Sequence, residues 1–305
     1  MQFSIYQESR RGARRSNQDR IAYCYSKHAL LMLVADGMGG HLNGELAAEI
    51  ALQSITEAFR REAKPALSDP ALFLRRSLAG AHRAIIERAA EDGLPEVPRT
   101  TCVACVVQDG AACWAHAGDS RLYHMRDGRM LAQTKDHTRV QQLIDQGRIR
   151  EEAAAAHPER NLIFSCLGSV KPPQLDVSDA TRLHPGDTLI LCSDGLWNPL
   201  SSKIISSAVL KNGIMQAVPE LMDEAERRAG RECDNLSVIA MTWEGDTQTA
   251  RPGYAPPRAA LSHAAAASQA QDADNAQNGY LSDDEIERAI ERIRNAIKGH
   301  PNGKT

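Results

Sequence analysis

Short β-forming stretches that stop at aspartate and glycine recur through the first 245 residues of this 305-residue chain, and they constrain its fold more than any other feature. Ala29–Ala35 is wholly apolar and runs straight into Asp36-Gly37. Thr188–Cys192 leads into Ser193-Asp194-Gly195, and Cys113–Ala117 leads into Gly118-Asp119. A strand that stops in this way pushes a carboxylate out at the sheet edge, while glycine lets the backbone turn sharply. Further strand candidates are Phe3–Tyr6, Ile21–Tyr25, Leu30–Ala35, Thr101–Val107, Arg121–Met125 and Leu236–Thr242. Gln108-Asp109-Gly110 and Arg126-Asp127-Gly128 are turn signals between neighbouring strands.

Two long helices interrupt the strands. Residues 43–61 carry Leu46, Ile50, Ile55 and Phe59 on one stripe, and residues 70–90 carry Leu74, Leu78, Ala81 and Ile85. Another helical stretch spans 215–229. Runs of strands with helices gathered between them predict an α+β layered fold, not a regularly alternating parallel sheet.

The character changes at residue 246. Residues 246–279 hold almost no large apolar side chain and predict a flexible linker. Residues 280–299 predict an amphipathic helix, with Ser282 and Glu285 as a capping box and Ile286, Ile290, Ile293 and Ile297 as one stripe. Such a helix suits docking on a partner or on its own catalytic domain.

Charge and cysteine usage narrow the function classes. Lys plus Arg is 36 and Asp plus Glu is 39, a net charge of −3. General nucleic-acid binding wants a basic surplus, and so does a polybasic membrane anchor, so neither is expected. No apolar stretch approaches the roughly 20 residues of a membrane-spanning helix. The N-terminus shows no basic region followed by an apolar run, and the 7 cysteines form no regular framework. Both features predict a cytoplasmic protein.

Five segments carry the chemistry: Arg14-Arg15-Ser16-Asn17-Gln18-Asp19, Asp36-Gly37-Met38-Gly39-Gly40-His41, Gly118-Asp119-Ser120-Arg121, Ser193-Asp194-Gly195 and Asp234-Asn235. One Asp-Gly alone is a turn, and Asp127-Gly128 and Gly186-Asp187 are read as turns only. Several strand ends side by side would instead gather hard oxygen ligands in one cleft, suited to Mg²⁺ or Mn²⁺ and not to zinc.

The ordered set resembles the metal-dependent serine/threonine protein phosphatases of the PP2C (PPM) family, in their bacterial form, over residues 2–243. The resemblance implies a sandwich of two antiparallel sheets flanked by helix pairs, with residues 1–245 as the catalytic domain and a flap subdomain at 139–165. It implies that Asp36 bridges two metal ions, with the Gly37 carbonyl as a further ligand and Asp194 and Asp234 completing one shell. Asp19 falls where the family orients metal-bound water, and Asp119 where bacterial members hold a third, weaker metal. Arg14 matches the phosphate-binding arginine, Gln18 stands beside Asp19, and Asn235 would orient the loop. The implied activity is hydrolysis of phosphoserine and phosphothreonine on proteins, opposing a Ser/Thr kinase.

The chemistry asks for this inventory. Two metals sharing a water lower its pKa enough to supply a nucleophile near neutral pH. The metals and a bidentate guanidinium offset charge on the phosphoryl oxygens. Two departures stand out: Gln18 replaces a glutamate of many members, and Met38, where many eukaryotic members have histidine, cannot protonate the leaving oxygen. A non-catalytic phosphoprotein-binding scaffold on the same fold would be expected to lose bridging carboxylates or Arg14, and all are present. A phosphatase in a partner-switching circuit usually brings sensor domains, which the chain lacks.

Cys102 and Cys105 have redox or zinc spacing, but in a strand they would point to opposite faces, which predicts core packing. His41 is expected to cap or pack, not to ligate. His137 suits a contact to substrate or water and a structural loop role equally.

Overall fold

The computed structural model describes residues 1–38 and 43–245. The predicted linker, the predicted C-terminal helix and His41 lie outside the described residues. In chain order come β1 (Gln2–Arg10), β2 (Asp19–Tyr25), β3 (Ala29–Met38), α1 (Gly44–Glu62), α2 (Pro70–Glu91), β4 (Arg99–Thr100), β5 (Cys102–Gln108) and β6 (Ala111–Ala117). There follow β7 (Arg121–Arg126), β8 (Arg129–Gln133), α3 (Arg139–Asp145), β9 (Asp176–Val177), β10 (Thr181–Arg182), β11 (Thr188–Cys192), α4 (Asp194–Trp197), α5 (Ser202–Ala229) and β12 (Leu236–Gly245).

The strands form two antiparallel sheets. One runs β1-β12-β11-β7-β8; the other runs β10-β6-β5-β3-β2, with β4 on β3 and β9 on β6. Alternation along each central strand sorts side chains into three apolar layers. Leu31, Leu33, Cys102 and Ala104 pack beneath α1 and α2. Leu30, Met32, Val103, Leu189, Leu191 and Ile239 fill the space between the sheets. Ile190, Cys192, Val238 and Ala240 pack against α5. This is the expected α+β sandwich flanked by helices. Cys102 and Cys105 fall in different layers, as a strand requires, and the 7 cysteines are buried and free.

Both predicted turns are tight hairpins. Asp109 and Gly110 have φ of 52° and 69°, and Asp127 and Gly128 have φ of 49° and 72°. Positive φ at both central residues twists the turn with its strands and favours Asp-Gly.

One expectation is incomplete and another needs correction. The helix expected at 215–229 is the part of α5 that follows a break at Gly213 (φ 65°), and α5 itself begins at Ser202. Its first half is rich in Ser, Ile and Val, poor helix formers, but Ile205 and Val209 gain burial against the sheet. Gly186-Asp187 is more than a turn. The Asp187 side chain is fully buried and accepts from Arg126 Nε (2.6 Å), Arg126 Nη2 (2.9 Å), His124 Nε2 (2.9 Å) and the His184 amide (3.0 Å). Although burial opposes ionisation, Arg126 leads the hydrogen bonds that bring its pKa to about 2. Among the described residues, no helix is long and apolar enough to cross a membrane.

Candidate active site

Asp19 opens β2 and lies opposite Asp36 of β3 in the strand register, so one pairing brings two carboxylates together. Asp194 heads α4, with Ser193 alone between it and β11, and Asp234 stands two residues before the start of β12, the neighbour of β11. Asp119 lies in the β6–β7 connection, which joins the two sheets.

Charge shows how closely the five are gathered. Burial and then the charges of Asp19, Asp194, Asp119 and Asp234 hold the Asp36 carboxyl well above its ordinary pKa. Asp194 is raised well above its ordinary value by burial, then by Asp119, Asp234 and Asp19. Burial pushes Asp19 to about 6, against the pull of hydrogen bonds from Ser193 and Ser237. Asp119 is pushed to about 7 by burial and by Asp136, with Arg121 opposing.

Hydroxyls hold the Asp19 carboxylate and the Asp36 backbone. The Ser193 hydroxyl donates to Asp19 Oδ2 (2.7 Å) and accepts from the Ser237 amide (3.0 Å). The other oxygen, Asp19 Oδ1, is buried without a hydrogen-bond partner among the described residues. The Asp36 carbonyl accepts from the Thr101 amide (2.9 Å) and the Thr100 hydroxyl (2.9 Å). The Asp36 amide donates to Thr101 Oγ1 (3.2 Å), which is bonded to Ser120 Oγ (2.7 Å) beside Asp119. Ser193 and Ser120 lie within the sequence motifs, but only the fold shows what they hold.

Asn235 secures the β1–β2 loop. Its Oδ1 accepts from the Gln18 amide (2.8 Å), and its Nδ2 donates to the carbonyls of Arg11 (2.8 Å) and Ser16 (2.9 Å). Gly37 is fixed by packing: a Cβ there would run into the carbonyls of Gly44 and Gln18. Arg14, matched by resemblance to a phosphate ligand, makes a fork on Asp234, Nε to Oδ1 at 2.8 Å and Nη2 to Oδ2 at 2.6 Å. Its side chain is 58% exposed. The structure therefore brings Arg14, Asp19, Asp36, Gly37, Asp119, Asp194, Asp234, Gln18 and Asn235 to one end of the sandwich.

His137 has a structural place. It is buried, stacks on His116 (4.6 Å between centroids), and its Nδ1 accepts from the Gly118 amide (3.2 Å). His116, His137 and Asp176 have metal-like spacing. The Gly118 bond nonetheless leaves the proton on His137 Nε2, which lies 3.4 Å from Asp176 Oδ2. That nitrogen carries the hydrogen and offers no lone pair to a cation.

The model of the protein phosphatase 2C family matches residues 7–227. The chain belongs to the protein phosphatase 2C family. The serine/threonine protein phosphatase PstP of Mycobacterium tuberculosis is 34% identical over 232 residues, 76% of this chain and 43% of that one. The solved serine/threonine phosphatase of S. agalactiae has a TM-score of 0.72 at 31% identity, covering 80% of this chain and 100% of that one. The PstP catalytic domain, solved in complex with two manganese ions, has a TM-score of 0.66 at 31% identity and covers 79% of this chain and 97% of that one. The α+β sandwich is thus the family fold.

The donor set fits the divalent cations of such a family. It is made of hard oxygens, four of its carboxyls have raised pKa values, and Asp19 Oδ1 is buried without a partner.

Proposed function

We propose that this chain hydrolyses phosphoserine and phosphothreonine on proteins, opposing a Ser/Thr kinase in the cytoplasm. The observation that carries the reading is the convergence of Asp19, Asp36, Asp119, Asp194 and Asp234 on one end of the sandwich, where the other four all raise the pKa of Asp36. Asp36, the Gly37 carbonyl, Asp194 and Asp234 would hold two Mn²⁺ or Mg²⁺ ions, and Asp119 would help hold a third. When bound, such ions acidify a water enough to make it the nucleophile at phosphorus.

The chain's own residues do the rest. Asp19, fixed through Oδ2 by Ser193, keeps Oδ1 as an unpartnered acceptor that would orient a water. Arg14 presents a bidentate fork, and a phosphoryl group offers the same paired oxygens that Asp234 now presents to it. Asn235 keeps the Arg14 loop in place. Met38 cannot donate a proton, so the leaving oxygen takes its proton from another source. A phosphate-binding scaffold without catalysis is not favoured, because the whole acidic set and Arg14 are present.

Residues 280–299, expected from sequence to form an amphipathic helix, would serve partner docking with residues 246–279 as their tether. The deciding experiment is turnover of an aryl phosphate and a phosphothreonine peptide with Mn²⁺. Chelation by EDTA should abolish turnover, and Asp36→Ala should lower it by several orders of magnitude. Near-wild-type turnover by Asp36→Ala would refute the reading.

A further inference from the structure

A groove of 910 Å³ opens beside the acidic cluster. Leu94, Val97, Pro98, Leu162 and Ile163 line it together with Met38. Met38 and Asp36 are two residues apart on β3, so their side chains leave the same face of the strand. Their spacing along it is about 7 Å.

The walls are fixed. Thr100 and Leu167 exchange both backbone hydrogen bonds, at 3.1 and 2.9 Å, and the Thr100 hydroxyl also holds the Asp36 carbonyl. The Leu162 carbonyl accepts from the Arg139 amide (2.8 Å), and the Phe164 amide donates to the His137 carbonyl (2.9 Å). Leu162 is nevertheless 53% exposed. A satisfied backbone thus holds a large apolar side chain out in water beside the cleft. Glu96 and Arg99 also line the groove, so its charges balance and select neither an acidic nor a basic segment.

We infer that this groove receives a large apolar side chain of the phosphorylated substrate, on an extended segment about two residues from the phosphoresidue. Two residues of extended chain span about 7 Å, the distance from Asp36 to Met38 along β3. The inference rests on the acidic cluster being the catalytic centre. Leu162 and Ile163 are then specificity-determining residues, and the substrate preference is for Leu, Ile or Phe.

The test uses the full chain with Mn²⁺ and a phosphothreonine peptide series. Leucine or alanine is placed in turn at each position within four residues of the phosphothreonine. The readout is the Leu-to-Ala ratio of kcat/KM, which cancels any general change in catalytic power. We expect a ratio of about tenfold at a position two or three residues from the phosphothreonine. It should fall below about twofold in Leu162→Asp and return in Leu162→Met. Aryl-phosphate turnover by the wild type separates the two readings: if it is absent, the catalytic assignment fails. If it is present and no position prefers leucine, or the preference survives Leu162→Asp, the groove assignment is overturned.

Discussion

Asp19→Asn should stabilise the metal-free protein while impairing the enzyme. In the folded chain the Asp19 carboxyl is pushed from 3.8 to about 6, chiefly by burial. At pH 7 it is ionised in both folded and unfolded states, but in the folded state the charge is strained by burial and by its neighbours. A shift of about two pKa units is roughly 3 kcal/mol, unfavourable to folding. A raised folded pKa means that this penalty is absent below about pH 4, grows as the pH climbs, and is complete above about pH 6. Asparagine keeps an acceptor for the Ser193 hydroxyl and carries no charge. In a domain of this size about 3 kcal/mol is worth roughly 6–12 °C in Tm. The assay is thermal unfolding of EDTA-treated wild type and Asp19→Asn between pH 4 and pH 8. The variant should melt higher at pH 7.5, and the two curves should meet near pH 4. A variant that melts at or below wild type at pH 7.5, or a gap indifferent to pH, would refute the reasoning.

Other perturbations separate function from support. Ser193→Ala removes the bond that fixes Asp19; aryl-phosphate kcat should fall about tenfold and Mn²⁺ affinity weaken by calorimetry, with Ser193→Thr restoring part of both. Asp187→Asn leaves Arg126 and His124 without their buried partner and should cost about 3 kcal/mol in urea unfolding at pH 7. Because the folded pKa of Asp187 is depressed to about 2, that contribution is present above about pH 4 and disappears as the pH falls towards 2. Deleting residues 248–305 should leave aryl-phosphate turnover intact; a large loss would show that the segment belongs to the catalytic fold.

The layered fold was legible because its central strands alternate between two buried faces. Leu30 and Leu31, Val103 and Ala104, and Ile190 and Leu191 all read as apolar neighbours, and the structure sends each pair into different layers. The turns at Asp109-Gly110 and Asp127-Gly128 were legible because positive φ has few tolerant residue types. The helix before Gly213 was not legible. Its propensity is weak, and the burial that stabilises it comes from strands distant in sequence. Asp187 was misread for a similar reason. A glycine-aspartate pair signals a turn locally, while its partners Arg126 and His124 lie some sixty residues away, the bonds to them spanning 61 and 63 positions.

The site divides along the same line. Its carboxylates could be read because several aspartates at strand ends recur as one ordered set. Their holders could not, because a buried Ser193, Thr100, Thr101 or Ser120 is locally indistinguishable from a surface hydroxyl. Yet these residues decide what the carboxylates can do. With no hydroxyl on Oδ2, the buried Asp19 carboxylate would lose the bond that opposes its raised pKa and fixes its orientation. With Ser193 in place it is held in the strained position, one oxygen engaged and the other without a partner. The hydroxyls thus work against the relaxation that mutual repulsion favours, so the cluster stays together and its repulsion remains available to be offset by cations. If so, loss of Ser193 should lower metal-free stability and weaken Mn²⁺ binding together, because the Asp19 carboxylate and the Ser237 amide both lose a partner; a variant that keeps Mn²⁺ affinity would mean that Ser193 only packs.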